Sequence, residues 1–158
     1  MAVILARIDD RLVHGQVVEG WMPLLDVNEV LVVSAAIAGD EMRKTLMRLS
    51  LPEDTGFEAM DSARAAQYLA GEGKSNRTLL LTAGPKEMLE LLQNGLALES
   101  INVGGMHYVA GKTQIGRAIF VDDSDISYFR AISGKGVKIE GRGVPTDSPL
   151  DVMSALGK

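Results

Sequence analysis

Short apolar runs alternate with longer helical patterns along this chain, and that alternation most constrains what it can fold into. Most of the runs are continuously apolar, which is typical of strands covered on both faces of a sheet. The run at 56–60 carries the weakest pattern. The predicted strands are 3–8, 29–33, 56–60, 78–82, 100–103, 117–121 and 136–140.

The segments between these runs have helical patterns, and several carry start or stop signals. Asp61 stands before a helical stretch and Pro85 occupies a first-turn position, whereas Gly71 and Gly95 supply stops. The predicted helices are 15–25, 40–49, 61–70, 85–93 and 124–132, with a short tail helix near 150–156. Regular alternation of strand and helix predicts an α/β fold, with a doubly wound, mostly parallel sheet and helices on both faces.

The size of the chain favours one domain over residues 1–158. Its 158 residues are 46% hydrophobic, enough for one well-buried core, and that content also leaves room for a self-interface. No run approaches the roughly 20 apolar residues of a membrane span, and the first residues lack the plan of a signal peptide, so we expect a cytoplasmic protein.

Charge and residue usage exclude several function classes. A net charge of −5 and 4% aromatic residues argue against nucleic-acid binding, because no basic excess is available to displace counterions. The absence of cysteine excludes disulfides, thiolate metal sites and cysteine nucleophiles. Two histidines far apart in sequence make a weak case for a metal, and we expect no cofactor.

The most distinctive residues follow the first predicted strand, at 7–16. Ligands of such folds gather beyond the carboxyl ends of the strands, so His14 falls where chemistry is expected. Phosphorylating an imidazole adds about two negative charges, and the planar fork of arginine matches phosphate oxygens well. Arg7 and Arg11 flank this histidine, so the residue types fit a phosphoryl acceptor.

The neighbours of His14 have expected roles in such a site. Gly15 allows close backbone approach, and the helix start at Gly15 and Gln16 offers unpaired N–H groups to an anion. Asp9 or Asp10 would orient a ring N–H or hold an arginine in place. The simpler alternative is that the histidine is a capping or ion-paired side chain and that the arginines pair only with nearby carboxylates.

Other segments have both a functional and a structural interpretation. The loops 34–39 and 104–107 are expected at the same edge of the sheet as His14, but His107 is more simply a loop side chain. Arg43, Lys44 and Arg48 share a helix face that is either a solvated flank or a surface for docking a partner.

Two tripeptides imitate the end of a P-loop. They are Gly-Lys-Ser at 73–75 and Gly-Lys-Thr at 111–113. The first glycine of that motif would have to stand at Tyr68 or Met106, so the loop that cradles phosphates is missing in both. Nucleotide hydrolysis is therefore not expected.

Residues 6–17, with Trp21 beyond them, resemble the active-site segment of one known family. This is the IIB subunit of the mannose/fructose/sorbose class of the bacterial phosphoenolpyruvate-dependent sugar phosphotransferase system. The stretches 40–46, 101–106 and 144–148 also resemble recurring parts of that family, so the similarity extends over nearly the whole chain.

The resemblance implies that His14 takes a phosphoryl group on Nδ1 from a phosphohistidine of a IIA protein. It also implies transfer to a sugar bound by membrane IIC and IID subunits, which would hold the chain at the inner membrane. We expect the donor to be a separate polypeptide. A phosphorylation-state regulatory module without a transport role and a plain interaction module remain alternatives, and the sugar is not specified by these residues.

Overall fold

The computed structural model describes residues 2–157, within which two sheets form. The strands are β1 (Val3–Asp9), β2 (Glu29–Val33), β3 (Gly56–Met60), β4 (Thr78–Thr82), β5 (Ser100–Gly105), β6 (Thr113–Gly116), β7 (Ile119–Val121), β8 (Lys138–Gly141) and β9 (Leu150–Asp151). The larger sheet has the order β3-β2-β4-β1-β5-β8-β9, parallel except for the edge strand β9. The predicted α/β fold with a mostly parallel sheet is confirmed.

Six α-helices connect these strands in the described part of the chain. They are α1 (Ala35–Ala38), α2 (Glu41–Leu49), α3 (Ser62–Ala70), α4 (Pro85–Gln93), α5 (Asp123–Gly134) and α6 (Val152–Leu156). Aspartates cap four of them by accepting a bond from a backbone N–H of the first turn, which replaces a missing intrahelical partner. These caps are Asp40, Asp61, Asp122 and Asp151.

The segment predicted as one helix over 15–25 is instead a π-helix, Gln16–Trp21, followed by a 3₁₀-helix, Met22–Leu24. Pro23 explains why no α-helix continues to residue 25, because proline has no N–H to bond to the carbonyl four residues earlier and its ring clashes with that carbonyl. The pattern of apolar residues located the segment correctly but could not give its pitch.

Three further elements differ from the sequence expectation. The run 117–121 is not a full strand of the main sheet, because β7 pairs antiparallel with the short strand β6 in a hairpin and meets the end of β5 through one bridge, between Ile119 and Met106. The loop predicted at 34–39 contains α1, which begins after Ser34 accepts a bond from the Ile37 N–H at 3.2 Å. Strand β9 is two residues long, too short to leave a periodic signal.

The apolar residues form two clusters on opposite faces of the sheet. Successive side chains of a strand point to opposite faces, and β2 shows this directly. Leu31 and Val33 join the cluster covered by α3, α4, α5 and α6, whereas Val30 and Val32 join the one that includes Val17 of the π-helix. Burial on both faces explains why the strands are apolar without alternation.

The strand order places a crevice between β1 and β5. The chain leaves β1 towards β2 on one side of the sheet and leaves β5 towards β8 on the other. Such a reversal separates the loops at the carboxyl ends of the two strands and is where ligands bind in open α/β sheets. Over residues 2–157, no helix is both long and apolar enough to span a bilayer.

Candidate active site

A buried ion pair at the end of β1 forms the base of this crevice. Arg7 and Asp9 have no exposed surface, and the Arg7 Nη2 lies 3.0 Å from the Asp9 Oδ2. Asn102 is the β5 residue in register with Arg7, and its Oδ1 accepts from Nη1 at 2.6 Å. Gly104 leaves room for the guanidinium, because a Cβ there would lie 2.0 Å from the Arg7 Cζ.

The remaining donors of Arg7 bind the elements above the sheet. Nη2 donates to the Gln16 Oε1 at 2.7 Å and the Gly143 carbonyl at 3.0 Å, and Nη1 donates to the Arg142 carbonyl at 3.1 Å. The guanidinium carbon also lies 5.2 Å from the ring centroid of Trp21, whose Nε1 donates to the Gly143 carbonyl at 2.8 Å. Arg7 thus joins β1, the π-helix and the loop after β8.

Asp9 holds three cationic or polar side chains together. Its Oδ1 accepts from Arg11 Nε at 3.1 Å, and its Oδ2 accepts from both Arg7 and the His14 ring. Burial raises the pKa of the Asp9 carboxyl, but hydrogen bonds from Arg11 and the charges of His14 and Arg7 lower it more, so the pKa lies below its usual 3.8. Asp9 is therefore an ionised acceptor at neutral pH.

His14 is oriented by this carboxylate. Its Nε2 lies 3.0 Å from the Asp9 Oδ2, and because an ionised carboxylate only accepts, Nε2 carries the hydrogen. Burial lowers the pKa of His14 below its usual 6.5; the Asp9 charge and hydrogen bond oppose this, and the charges of Arg11 and Arg7 add to it. The ring is thus mostly neutral at pH 7, with its lone pair on Nδ1.

The loop between Asp9 and His14 is held in a strained conformation. Leu12 has φ 58°, a left-handed value that a leucine rarely adopts, and its N–H donates to the Asp9 carbonyl at 2.9 Å. The Leu12 side chain is buried in the same apolar cluster as Val17, and this burial holds the turn in place. This turn therefore fixes the path of the chain from the end of β1 to His14.

Arg11 and Gln16 lie on the open side of His14. Half of the Arg11 side chain, 51%, is exposed, although it binds Asp9 and donates to the Gln16 Oε1 at 3.0 Å. Because Arg7 and Arg11 both donate to this oxygen, the amide of Gln16 is fixed with its NH₂ group turned away from them. The Gln16 NH₂ group and the exposed part of the Arg11 side chain therefore remain as hydrogen-bond donors next to the loop that carries His14.

Three predicted site residues have surroundings that differ from the expectation. Arg7 is fully buried, and its terminal nitrogens donate to protein acceptors. This arrangement suits a residue that supports the site better than one that contacts a phosphoryl group. Asp10 faces His107, not His14. Gly15 has an ordinary helical φ of −53°, and a Cβ added there would meet no atom within 4 Å, so the fold itself does not require glycine at this position.

The sequence left the role of the second histidine, His107, open, and the structure places this residue against Asp10. The His107 N–H donates to the Asp10 Oδ2 at 2.7 Å, and its Nδ1 contacts the same oxygen. Both residues line a cleft of about 1160 Å³ that also reaches Arg11 and Gln16. The cleft is bounded by the end of β5, the β6–β7 hairpin and the loop after β8.

The predicted docking residues lie on α2, none of whose residues is buried. Lys44 pairs with Glu41 at 2.8 Å, and the Arg48 guanidinium lies 6.0 Å from the ring centroid of Phe57. Arg43 is exposed. Met47 of this helix and Val13 pack against one apolar cluster, so α2 and the His14 loop share a face of the sheet.

The two tripeptides that imitate the end of a P-loop make contacts that support the fold. Lys112 pairs with Asp125 at 3.3 Å, and Gly111 occupies a turn with φ 93°. A Cβ on Gly73 would lie 2.4 Å from the ring of Tyr68, so Gly73 permits close packing there. Among residues 2–157 no cluster of three or more histidines and carboxylates is placed to hold a metal ion.

Sequence reasoning missed the residues that hold Arg7 in place. Asn102 could have been found, because a polar residue within an otherwise apolar strand must have a partner when buried. Gly104, Arg142 and Gly143 carry no such signal, since they act through missing volume or through backbone carbonyls whose placement depends on the fold.

Comparisons with known proteins agree along the chain. The family model described as PTS system sorbose subfamily IIB component matches residues 3–158. The sorbose-specific EIIB component of Lacticaseibacillus casei is 34% identical over 157 residues, covering 99% of this chain and 96% of that protein. The mannose-specific EIIAB component of Escherichia coli K12 is 37% identical over 159 residues, 100% of this chain, which spans 49% of that relative.

A solved structure has the same fold. The crystal structure of the IIBSor domain of the sorbose permease from Klebsiella pneumoniae superposes with a TM-score of 0.94 at 28% identity, covering 99% of this chain and 97% of that domain. The agreement extends over the sheet and the flanking helices, so the site described above is set in the same architecture.

Proposed function

The chain belongs to the sorbose subfamily of phosphotransferase-system IIB components, and from this premise we propose that His14 is its phosphoryl carrier. IIB components of this system are phosphocarriers in sugar uptake and act as protein-phosphohistidine–sugar phosphotransferases. In our proposal His14 accepts the group from a phosphohistidine of a IIA component. It then delivers the group to a sugar presented by membrane IIC and IID subunits at the cytoplasmic face.

The Asp9–His14 hydrogen bond is the observation that carries this proposal. It fixes the hydrogen on Nε2 and leaves the Nδ1 lone pair as the nucleophile. Partial burial supports the same role, because it lowers the pKa of His14 and keeps the ring neutral at pH 7. No other described histidine combines a buried carboxylate partner with flanking arginines.

The transfer requires alignment and charge stabilisation more than covalent help from the protein. The His14 Nδ1 attacks the phosphorus as the bond from phosphorus to the donor imidazole breaks. The hydrogen stays on His14 Nε2, which remains hydrogen-bonded to Asp9. Arg11 and the Gln16 NH₂ group would donate to the phosphoryl oxygens. The N–H groups of Gly15 and Gln16 precede the first bonds of the π-helix, made by Val17 and Val18 to the His14 carbonyl, and would add donors.

Arg7 would act through Gln16 and Asp9. Its guanidinium binds both, so it would set the position of the phosphoryl donors without touching the group itself. Asp10, expected to share the orienting role, is assigned to His107 by its contacts. The proposed phosphoryl-binding set is therefore Arg11, Gln16 and Gly15, with Asp9 and Arg7 as positioning residues.

The IIA donor would dock against α2 beside the His14 loop. Arg43, Lys44 and Arg48 give this helix a basic side on a chain of net charge −5. Met42, Leu46 and Leu49 recur at helical spacing on α2 and are 61–76% exposed. A small apolar stripe beside positive charge suits a carrier that must release its partner quickly.

Phosphorylation by a complete donor cascade tests this function. The chain is incubated with phosphoenolpyruvate, the general phosphocarrier proteins and a IIA protein, and its intact mass is measured. One acid-labile phosphoryl group is expected, located on His14 by fragmentation. Omitting IIA is the control, and a chain that gains no phosphoryl group with the complete cascade would contradict the proposal.

A further inference from the structure

The pair formed by Asp10 and His107 has the geometry of a proton acceptor. Both the backbone N–H and the ring Nδ1 of His107 are directed at the Asp10 Oδ2. Because a carboxylate oxygen only accepts, Nδ1 carries the ring hydrogen and Nε2 keeps its lone pair. The His107 side chain is 73% exposed, so that nitrogen is accessible to a substrate.

This pair shares a cleft with the groups assigned to the phosphoryl group of His14. Asp10, Arg11, Gln16 and His107 all line the cleft of about 1160 Å³. Ligand pockets usually measure roughly 300–1,000 Å³, so the cleft is large enough for a monosaccharide. Ser148 also lines the cleft and carries a hydroxyl that can bond to sugar oxygens.

The second half of the reaction needs a base at this position. When the sugar oxygen bonds to phosphorus, the bond from phosphorus to His14 Nδ1 breaks and Nδ1 recovers its lone pair. The hydroxyl proton must then leave the sugar. Nε2 of His14 already carries a hydrogen, and Asp9 accepts from Arg7, Arg11 and His14, so neither is free to take it.

The other carboxylate of the cleft, Asp147, has one oxygen committed to backbone N–H groups. The Asp147 Oδ2 accepts from the backbone N–H groups of Gly143 and Val144, each at 3.1 Å, which fixes the loop after β8. Arg11 and Arg142 also line the cleft, but guanidinium groups do not accept protons at neutral pH. Among the described residues that line the cleft, His107 is the one imidazole, and the lone pair on its Nε2 is accessible.

We propose that the cleft faces the sugar presented by the membrane subunits and that His107, oriented by Asp10, takes the proton from the sugar hydroxyl during transfer from phosphorylated His14. This proposal rests on the proposed function, since it requires His14 to carry the phosphoryl group. The proton passes to His107 Nε2 and then to water, and the phosphorylated sugar leaves. Asp10 acts as a positioning residue that fixes the tautomer of His107.

Separating the two half-reactions tests this proposal. The chain is labelled with ³²P through the donor cascade, purified, and mixed with membranes that carry permease subunits accepting the group from the wild-type chain. Mannose, fructose and sorbose are offered in turn, and the discharge of the label is followed in a single turnover. His107→Ala is compared with Val109→Ala, a half-exposed neighbour on the same loop that does not line the cleft.

We expect His107→Ala to gain its label from IIA and to discharge it to the sugar about 100-fold more slowly, the usual loss for a general base. Added imidazole should restore part of the discharge rate, which it could not do if His107 only supported the loop. Asp10→Asn should slow the same step by less, and Val109→Ala should match wild type in both steps.

Two results would overturn the proposal. Wild-type discharge by His107→Ala would place the base on the permease, and a slow discharge that imidazole does not improve would make His107 structural. Failure of the wild-type chain to gain any label would instead contradict the carrier role of His14, so the two failures are distinct.

Discussion

Adjacent aspartates hold the two histidines of this chain in very different environments. The Asp9–His14 pair is largely buried and rests on the arginines of the site, whereas the Asp10–His107 pair lies open at the edge of the cleft. Both aspartates fix a tautomer, but only the first pair is buried against arginine side chains. In our proposal this support around the histidine–carboxylate pair, more than the pair itself, makes His14 a phosphoryl acceptor.

The largest effect should come from replacing each histidine in turn. His14→Ala removes the nucleophile, so we expect complete loss of phosphorylation by the donor cascade, measured by intact mass. His107→Ala should still gain one phosphoryl group. The reverse pattern, with the label retained in the His14 variant and lost in the His107 variant, would show that the two roles are exchanged.

Replacing Asp9 should lower the free energy of unfolding far more than replacing Asp10. Asp9→Asn leaves the buried Arg7 guanidinium without its counter-charge, and breaking a buried pair in this way costs about 3–5 kcal/mol. Asp10→Asn should cost less than about 1 kcal/mol, because its partner is exposed to solvent. Urea unfolding at pH 7 measures both values.

The Asp9 effect should also depend on pH. The pKa of Asp9 is lower in the folded chain than its usual 3.8, so its contribution is complete above that value and is lost as the pH falls through the folded pKa. Equal unfolding free energies for the Asp9→Asn and Asp10→Asn variants at pH 7 would refute the assigned difference in burial.

Arg11→Lys should slow phosphorylation by keeping the charge and losing the paired donors. Hydrogen bonds to charged groups contribute about 1.5–3 kcal/mol, and the lower end, roughly tenfold in rate, is expected because Arg11 is half exposed. Arg11→Gln should be slower still. Rapid-quench measurement with excess phosphorylated IIA gives the rates, and Arg130→Lys on α5 is the matched control. Wild-type rates in both Arg11 variants would show that Arg11 does not contribute to the transfer.

The pH dependence of phosphorylation should report His14 and not His107. The neutral ring is the nucleophile and burial lowers its pKa, so the rate should be constant above about pH 6.5 and fall only at lower pH. NMR titration of the His14 ring should give the same midpoint, and His107→Ala should leave it in place. A midpoint above 6.5 would mean that the charge of Asp9 outweighs burial.

The smallest effect concerns the docking surface on α2. Reversing charge with Lys44→Glu and Arg48→Glu should slow encounter with IIA several-fold at low salt, without changing the transfer once bound. Salt should remove the difference, because the Debye length shrinks from about 10 Å at 0.1 M to about 3 Å at 1 M. The control combines Lys86→Glu on α4 with Lys135→Glu directly after α5, both on the other face of the sheet. Salt-independent rates for all three chains would place docking elsewhere.

Much of the fold could be predicted from the sequence because local signals and burial agree. Strands β2 and β4 and helix α4 have the predicted bounds, since continuous apolar runs and end signals mark them, and β3 has its predicted bounds despite a weaker pattern. The region around 15–25 and the β6–β7 hairpin were predicted less well. The helical pitch of the first is not a property of its apolar pattern, and the short strand β6 of the second is specified mainly by its partner.

The candidate site was predicted as a set of residue types but not as an arrangement. His14, Arg11, Gln16 and Asp9 lie together because they are close in sequence and follow one strand. Whether an arginine touches solvent depends on neighbours from distant segments, and the buried position of Arg7 was not predicted for that reason.

The sequence by itself determined most of the elements, the parallel sheet and the edge at which His14 lies, because apolar periodicity and strand–helix alternation are local properties. Only the tertiary structure decided that Asp9 serves His14 while Asp10 serves His107, that Asn102 and Gly104 accommodate Arg7, and that His107 lines a cleft with Arg11 and Gln16. The physical reason is that hydrogen-bond partners and free volume at a strand end come from segments remote in the chain, which only packing of the sheet brings within reach.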